Sequence, residues 1–97
     1  MSDNSSRSME DIVNAMPEWV KMDVAIEIMA EVLSDQRRAI AEEENKELPD
    51  PEKLKRLKDE KRELLKERQA MYTGDKEVIH KILIKYGEKV REKYTGA

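Results

Sequence analysis

The stretch from Pro17 to Glu47 reads PEWVKMDVAIEIMAEVLSDQRRAIAEEENKE, and it decides the fold. Apolar side chains recur in it at alternating steps of three and four residues, followed by one step of seven across Gln36. This heptad spacing places them on one stripe of an α-helix. The stripe consists of Trp19, Met22, Ile26, Met29, Leu33 and Ile40. A helix with so apolar a side must be covered, either by the rest of the chain or by a second chain.

Composition narrows the class of protein. The chain has 97 residues, enough for one domain, and 42 % of them are charged, against roughly 25 % in an average globular domain. Because the charges alternate with Leu, Ile and Met at helical spacing, we expect long exposed helices and not disorder. The chain contains no Cys, and no run approaches the roughly 20 apolar residues that a membrane span needs. We therefore expect a cytoplasmic protein that does not contact a membrane.

Capping residues, a proline and a glycine predict four helices. Ser8, Asp50 and Asp75 are suited to cap a helix N-terminus, and each precedes apolar residues at helical spacing. Pro17 ends the first helix, and Gly74 suits the left-handed position that ends the third. The predicted ranges are 9 to 15, 17 to 45, 51 to 72 and 76 to 94.

These ranges predict an all-α fold. The second and third helices form a long antiparallel hairpin, which a C-terminal helix and a short N-terminal helix complete to a three- to four-helix bundle. Residues 9 to 94 make the single helical domain, residues 1 to 8 a disordered N-terminal tail and residues 95 to 97 a frayed C-terminal tail. We also expect fraying where the acidic run from Glu42 to Glu44 meets the negative end of the helix dipole.

The two halves of the chain differ in charge. Residues 1 to 50 carry five basic and thirteen acidic side chains, a net charge of −8, whereas residues 51 to 97 carry fourteen and nine, a net charge of +5. Acidic residues of the second helix should therefore lie near basic residues of the third and fourth helices.

The sequence contains no pattern of catalytic, cofactor-binding or metal-ligating residues. His80 is the only histidine, so it has neither a second His nor a Cys as partner for a metal site or a catalytic pair. A Gly-rich phosphate loop and a nucleophile elbow are both missing. We expect no enzymatic activity, no cofactor and no metal.

An enzymatic alternative comes from a short segment. Leu64 to Arg68 reads LLKER and resembles a segment of the helical chorismate mutases. That family is also small and all-helical, and its active site is built from Arg, Lys, Glu and Gln side chains on several helices. No other part of that site can be placed in this sequence, so no residue is assigned to it.

Nucleic-acid binding is the alternative that the basic third helix suggests. Lys55, Lys58 and Arg62 share one face of this helix and are the candidate contacts. Acidic residues interrupt the basic ones between positions 53 and 68, and the sequence pI is about 5.3. A phosphate-binding surface usually shows a continuous basic stripe, so the sequence favours another function.

Protein–protein interaction is the function that we predict. The apolar face of the second helix exceeds what the sparse third helix can cover. We expect Trp19, Met22, Ile26, Met29 and Leu33 to be buried in part by another chain, in a homodimer or in a complex with another protein of unknown identity. The protein would then act as a regulator, inhibitor or adaptor by occupying a partner's surface.

Overall fold

A computed structural model describes residues 8 to 95 and is helical almost throughout. The elements are α1 (Met9–Asn14), α2 (Glu18–Glu44), α3 (Pro51–Tyr72), α4 (Lys76–Lys81), a π-helical segment (Ile82–Tyr86) and α5 (Gly87–Thr95). The last three are continuous and form one C-terminal helix. Residues 8 to 95 contain no strand, so the predicted all-α fold is confirmed. The predicted N-terminal tail, apart from Ser8, and residues 96 and 97 lie outside the described residues.

Side-chain caps start three of these helices, as the sequence predicts. Ser8 Oγ accepts the amide of Asp11 at 3.1 Å, and the carboxylates of Asp50 and Asp75 each accept two amides of the turn that follows. Gly74 ends α3 with a φ of 86°, a left-handed conformation that favours glycine. Local chemistry therefore places the helix boundaries within about a residue of the predicted ones.

Two details differ from the prediction. Pro17 has an extended ψ of 153°, so α2 begins one residue later, at Glu18. The C-terminal helix contains the π-helical segment Ile82–Tyr86, which the sequence does not signal because the same apolar spacing also fits an α-helical turn.

The helices run up, down and up around one core. α3 is antiparallel to α2, and the C-terminal helix lies parallel to α2, with α4 beside Met22 near its start and Lys93 of α5 beside Asp35. α1 packs across the C-terminal helix. The buried core cluster consists of Val13, Ala25, Ile28, Met29, Leu33, Leu64, Met71, Ile82, Leu83 and Tyr86.

Beyond Asp35 the hairpin continues as an arm of two helices, residues 36 to 60. The buried apolar side chains of the arm are Ile40 and Leu57. Gln36, the polar residue of the apolar stripe, donates from Nε2 to the backbone oxygen of Leu57 at 2.8 Å. Because this bond joins a side chain of α2 to the main chain of α3, it fixes the register of the two helices where the arm begins.

Ion pairs link the two oppositely charged halves, as expected. They join Lys53 to Glu43, Lys58 to Glu44, and Lys93 to both Glu31 and Asp35. An exposed pair of this kind contributes only about 0 to 1 kcal/mol. Such pairs align the helices more than they stabilise them.

Gly87 is buried where α1 crosses the C-terminal helix. A Cβ at this position would lie 2.8 Å from Met9 Cε and 3.4 Å from Ile28 Cδ1. The nearer atom is the end of a flexible side chain, which can rotate away from a single methyl group. A branched side chain would instead push α1 off the core.

We expect Gly87→Ala to raise the free energy of unfolding by up to about 1 kcal/mol, because alanine favours the helix over glycine and only the methyl group of Met9 has to move. Gly87→Val should be destabilising. Urea unfolding of the three proteins measures both changes. A marked loss of stability in the alanine variant would show that Met9 is held too tightly to rotate.

Candidate interaction surfaces

The five side chains predicted to contact another chain become more buried from the start of α2 towards its middle. Trp19 is 73 % exposed, Met22 and Ile26 are half-buried, and Met29 and Leu33 are each 1 % exposed. The chain's own helices cover Met29 and Leu33, so these two side chains offer no surface to a partner. The surplus apolar surface is therefore smaller than expected and lies in the first turns of α2.

The cause of this gradient is the length of α2 that the other helices cover. Met29 and Leu33 belong to one core cluster with the C-terminal helix and α1, which together cover more of α2 than α3 could alone. Trp19 is the second residue of α2. At this end of the helix the other helices leave most of its ring uncovered.

We call the surface formed by Trp19, Met22 and Ile26 the end face. Tyr72, the last residue of the antiparallel α3, lies at the same end of the hairpin and is 55 % exposed. Two aromatic side chains thus stand exposed at one end of the molecule. Tyr72 is not among the interface residues that the sequence predicted.

A shallow pocket adjoins the end face between α2 and α4. Its lining consists of Glu18, Lys21, Met22, Lys76, Ile79 and His80. The half-buried His80 lies there with two lysines and one glutamate. Within the described part of the chain, no group of three or more His, Cys, Asp or Glu side chains is placed to hold a metal ion.

The three basic residues proposed to contact nucleic acid are paired with acidic ones. Lys55 and Arg62 both contact Asp59, at 3.1 and 2.8 Å, and together they hold the pKa of that carboxyl below its ordinary value. Lys58 lies 3.2 Å from Glu44 of α2. The structure therefore brings the three cations to one region but gives each of them an acidic partner.

The segment LLKER takes part in a contact between α3 and the C-terminal helix. Tyr86 donates its hydroxyl to Glu67 at 2.6 Å, and Lys81 Nζ lies 2.9 Å from the same carboxylate. Burial opposes ionisation of Glu67, but Lys81 and Tyr86 outweigh it and lower the pKa. Burial, reinforced by Glu67, raises the pKa of Tyr86, which remains a protonated donor. Each polar group has a partner, and the cluster ties the two helices together.

Glu43 holds the tip of the arm, residues 45 to 50. Its side chain is 2 % exposed, and Oε2 accepts the backbone amide of Asp50 at 2.9 Å. Oε1 lies 2.8 Å from Lys46 Nζ and 3.3 Å from Lys53 Nζ, contacts that have ion-pair but not hydrogen-bond geometry. Lys46 first, and then the Asp50 amide, lower the pKa of Glu43 to about 2.

This buried carboxylate explains why α2 stays helical through Glu42 to Glu44, where the sequence predicted fraying. The two ammonium groups neutralise the charge that the helix dipole disfavours, and α2 continues to Glu44. The sequence contained one signal for this role, the spacing of three residues between Glu43 and Lys46.

Leu48 stands at the tip and is 90 % exposed, more than any other large apolar side chain among residues 8 to 94. Pro49 restricts the backbone that follows Leu48, and the hydrogen bond from the Asp50 amide to Glu43 fixes the end of the loop. A fixed loop therefore presents Leu48 to solvent, at the opposite end of the hairpin from Trp19.

We expect Glu43→Gln to be less stable than the wild type at neutral pH, and the difference to shrink in acid. Because folding lowers the pKa of Glu43 from its ordinary value to about 2, the contribution of its charge is present above the ordinary value and is lost as pH falls through the lower one. The measurement is the free energy of unfolding in urea between pH 7 and pH 2.

Glu42→Gln is the matched control, since Glu42 is an exposed neighbour of the same type. Other ionised carboxylates affect all three proteins alike, so the difference between wild type and variant isolates one group. A constant difference between wild type and Glu43→Gln across the whole pH range would contradict the role given to the Glu43 charge.

None of the described helices is long and apolar enough to cross a membrane. No protein-family model matches the chain, and neither a curated protein nor a solved structure matches it.

Proposed function

We propose that the chain is a cytoplasmic, non-catalytic protein–protein interaction module, which acts as a regulator, inhibitor or adaptor by covering a surface of another protein. The end face makes the contact. One observation carries the proposal: the only tryptophan of the chain is 73 % exposed and continues into the half-buried Met22 and Ile26.

The energetics of interfaces support this assignment. Tryptophan is enriched among the residues that contribute most to binding, because its large rigid ring buries much apolar area at a small cost in side-chain entropy. A soluble protein gains nothing in stability by exposing such a ring at a helix end. Met22 and Ile26 extend the apolar surface on the same side of α2, and methionine adapts its shape to a partner.

A protein is a better partner for this chain than a nucleic acid. Lys55, Lys58 and Arg62 each contact a carboxylate, so a phosphate would have to displace an existing ion pair at each of them. The net charge of −3 adds a general repulsion from nucleic acid.

The proposal is tested by affinity capture from the native host with wild type and Trp19→Asp as baits, followed by binding measurements on the purified partner. We expect the variant to bind at least about 30-fold more weakly, the effect of losing roughly 2 kcal/mol at an anchor residue. In the complex, the fluorescence of the single tryptophan should shift to shorter wavelength and become protected from acrylamide.

Ser34→Asp is the matched control. It adds the same charge to an exposed position of α2 outside the apolar stripe, so it should bind as the wild type does. If Trp19→Asp and Ser34→Asp capture the same proteins with equal affinity as the wild type, the end face is not the binding surface.

A further inference from the structure

The arm carries a second apolar anchor, which the end face does not include. Leu48 is almost fully exposed, yet the loop that bears it is fixed by a buried carboxylate. Burying a charge is costly, and a simple chain reversal does not require it. A fixed loop loses little conformational entropy on binding, which makes Leu48 a preorganised contact residue.

A groove between α2 and α3 can accept an exposed leucine on an acidic loop, because it combines apolar and basic side chains. Ile40 and Leu65 supply its apolar floor, while Lys58, Lys61 and Arg62 stand at its edges with Glu44. Lys61 makes no ion pair among the described residues. The groove therefore offers an apolar surface with a free cation beside it.

The charge of the tip is opposite to that of the groove. The tip, residues 45 to 50, carries Glu47 and Asp50 against Lys46, a net charge of −1, and the exposed Glu52 adds a further negative charge beside it. Glu47 at the tip and Glu52 in the first turn of α3 make no ion pair among residues 8 to 94. An anionic tip with an exposed leucine fits an apolar groove that has the unpaired Lys61 at its edge.

We propose that the arm mediates self-association, in which Leu48 of one copy packs into the groove of a second copy and each copy gives and receives the same contact. The Glu43 contacts keep Leu48 from folding back onto its own groove. A two-fold axis between two antiparallel arms satisfies both contacts at once and closes the assembly as a dimer. The two hairpins then cover each other's thin arms, as in a four-helix bundle.

Sedimentation equilibrium provides the first test. The wild type should form a dimer at micromolar concentration, and its dissociation constant should rise with salt because the tip and the groove are oppositely charged. Leu48→Asp should weaken dimerisation at least about tenfold, since it replaces the buried leucine by a charge. Its exposed position leaves the fold intact, and Ser34→Asp is the control. A wild type that is monomeric throughout, or a Leu48→Asp variant that dimerises normally, overturns the proposal.

Cross-linking tests the contact itself, and the absence of cysteine makes it site-specific. Leu48→Cys is mixed with isotope-labelled Arg62→Cys, at the edge of the groove, and treated with a short bis-maleimide. We expect linked pairs of one labelled and one unlabelled chain, at several times the yield obtained with Gln69→Cys, an exposed position of α3 outside the groove. Equal yields, or mainly Leu48-to-Leu48 links, would place the contact elsewhere.

Binding at the end face and self-association through the arm can be contradicted independently of each other. Trp19→Asp should leave the dimer intact, and Leu48→Asp should leave binding at the end face intact in the monomer. A dimer that Trp19→Asp dissociates, while Leu48→Asp does not, would assign self-association to the end face.

Discussion

Burial of the apolar stripe of α2 organises the packing of all the other helices. Met29 and Leu33 lie in its middle, and every other helix packs against them or against their neighbours. With no Phe in the chain and its only Trp exposed, the core is built from aliphatic side chains and methionine, with Tyr86 as its one aromatic member. Such a core needs close contact between helices, which is why Gly87 sits where α1 crosses the C-terminal helix.

The arm is held together mainly by polar contacts, because two helices alone cannot enclose an apolar core. Only Ile40 and Leu57 are buried between them as apolar side chains, and polar contacts supply the remaining order. Gln36 fixes the register at the base of the arm, and Glu43 fixes the chain reversal at its tip. Buried polar groups specify one packing of the two helices more strictly than apolar contacts do. A buried polar group that loses its hydrogen-bond partner destabilises the fold, whereas apolar side chains tolerate small shifts.

Trp19 and Leu48, the two most exposed large apolar side chains among residues 8 to 94, lie at opposite ends of the hairpin. With 27 residues, α2 alone separates them by roughly 40 Å. Trp19 at one end and Leu48 at the other cannot belong to one contact surface on a small partner. A dimer formed through the arms would carry two end faces pointing away from each other, an arrangement that lets one assembly hold two copies of a partner and gain avidity.

Local sequence signals are enough to specify the helices and the hairpin. Heptad spacing, the caps Ser8, Asp50 and Asp75, and the left-handed Gly74 act over a few residues, so the chain's local pattern is sufficient to predict them. Tertiary structure alone decided which apolar residues remain exposed, because that depends on where distant helices end. The stripe from Trp19 to Leu33 is uniform in sequence, yet the C-terminal helix buries its middle and leaves its first turn uncovered. The same holds for Glu43, which looks like a repelled charge at a helix end until the chain reversal brings Lys53 and the amide of Asp50 to it.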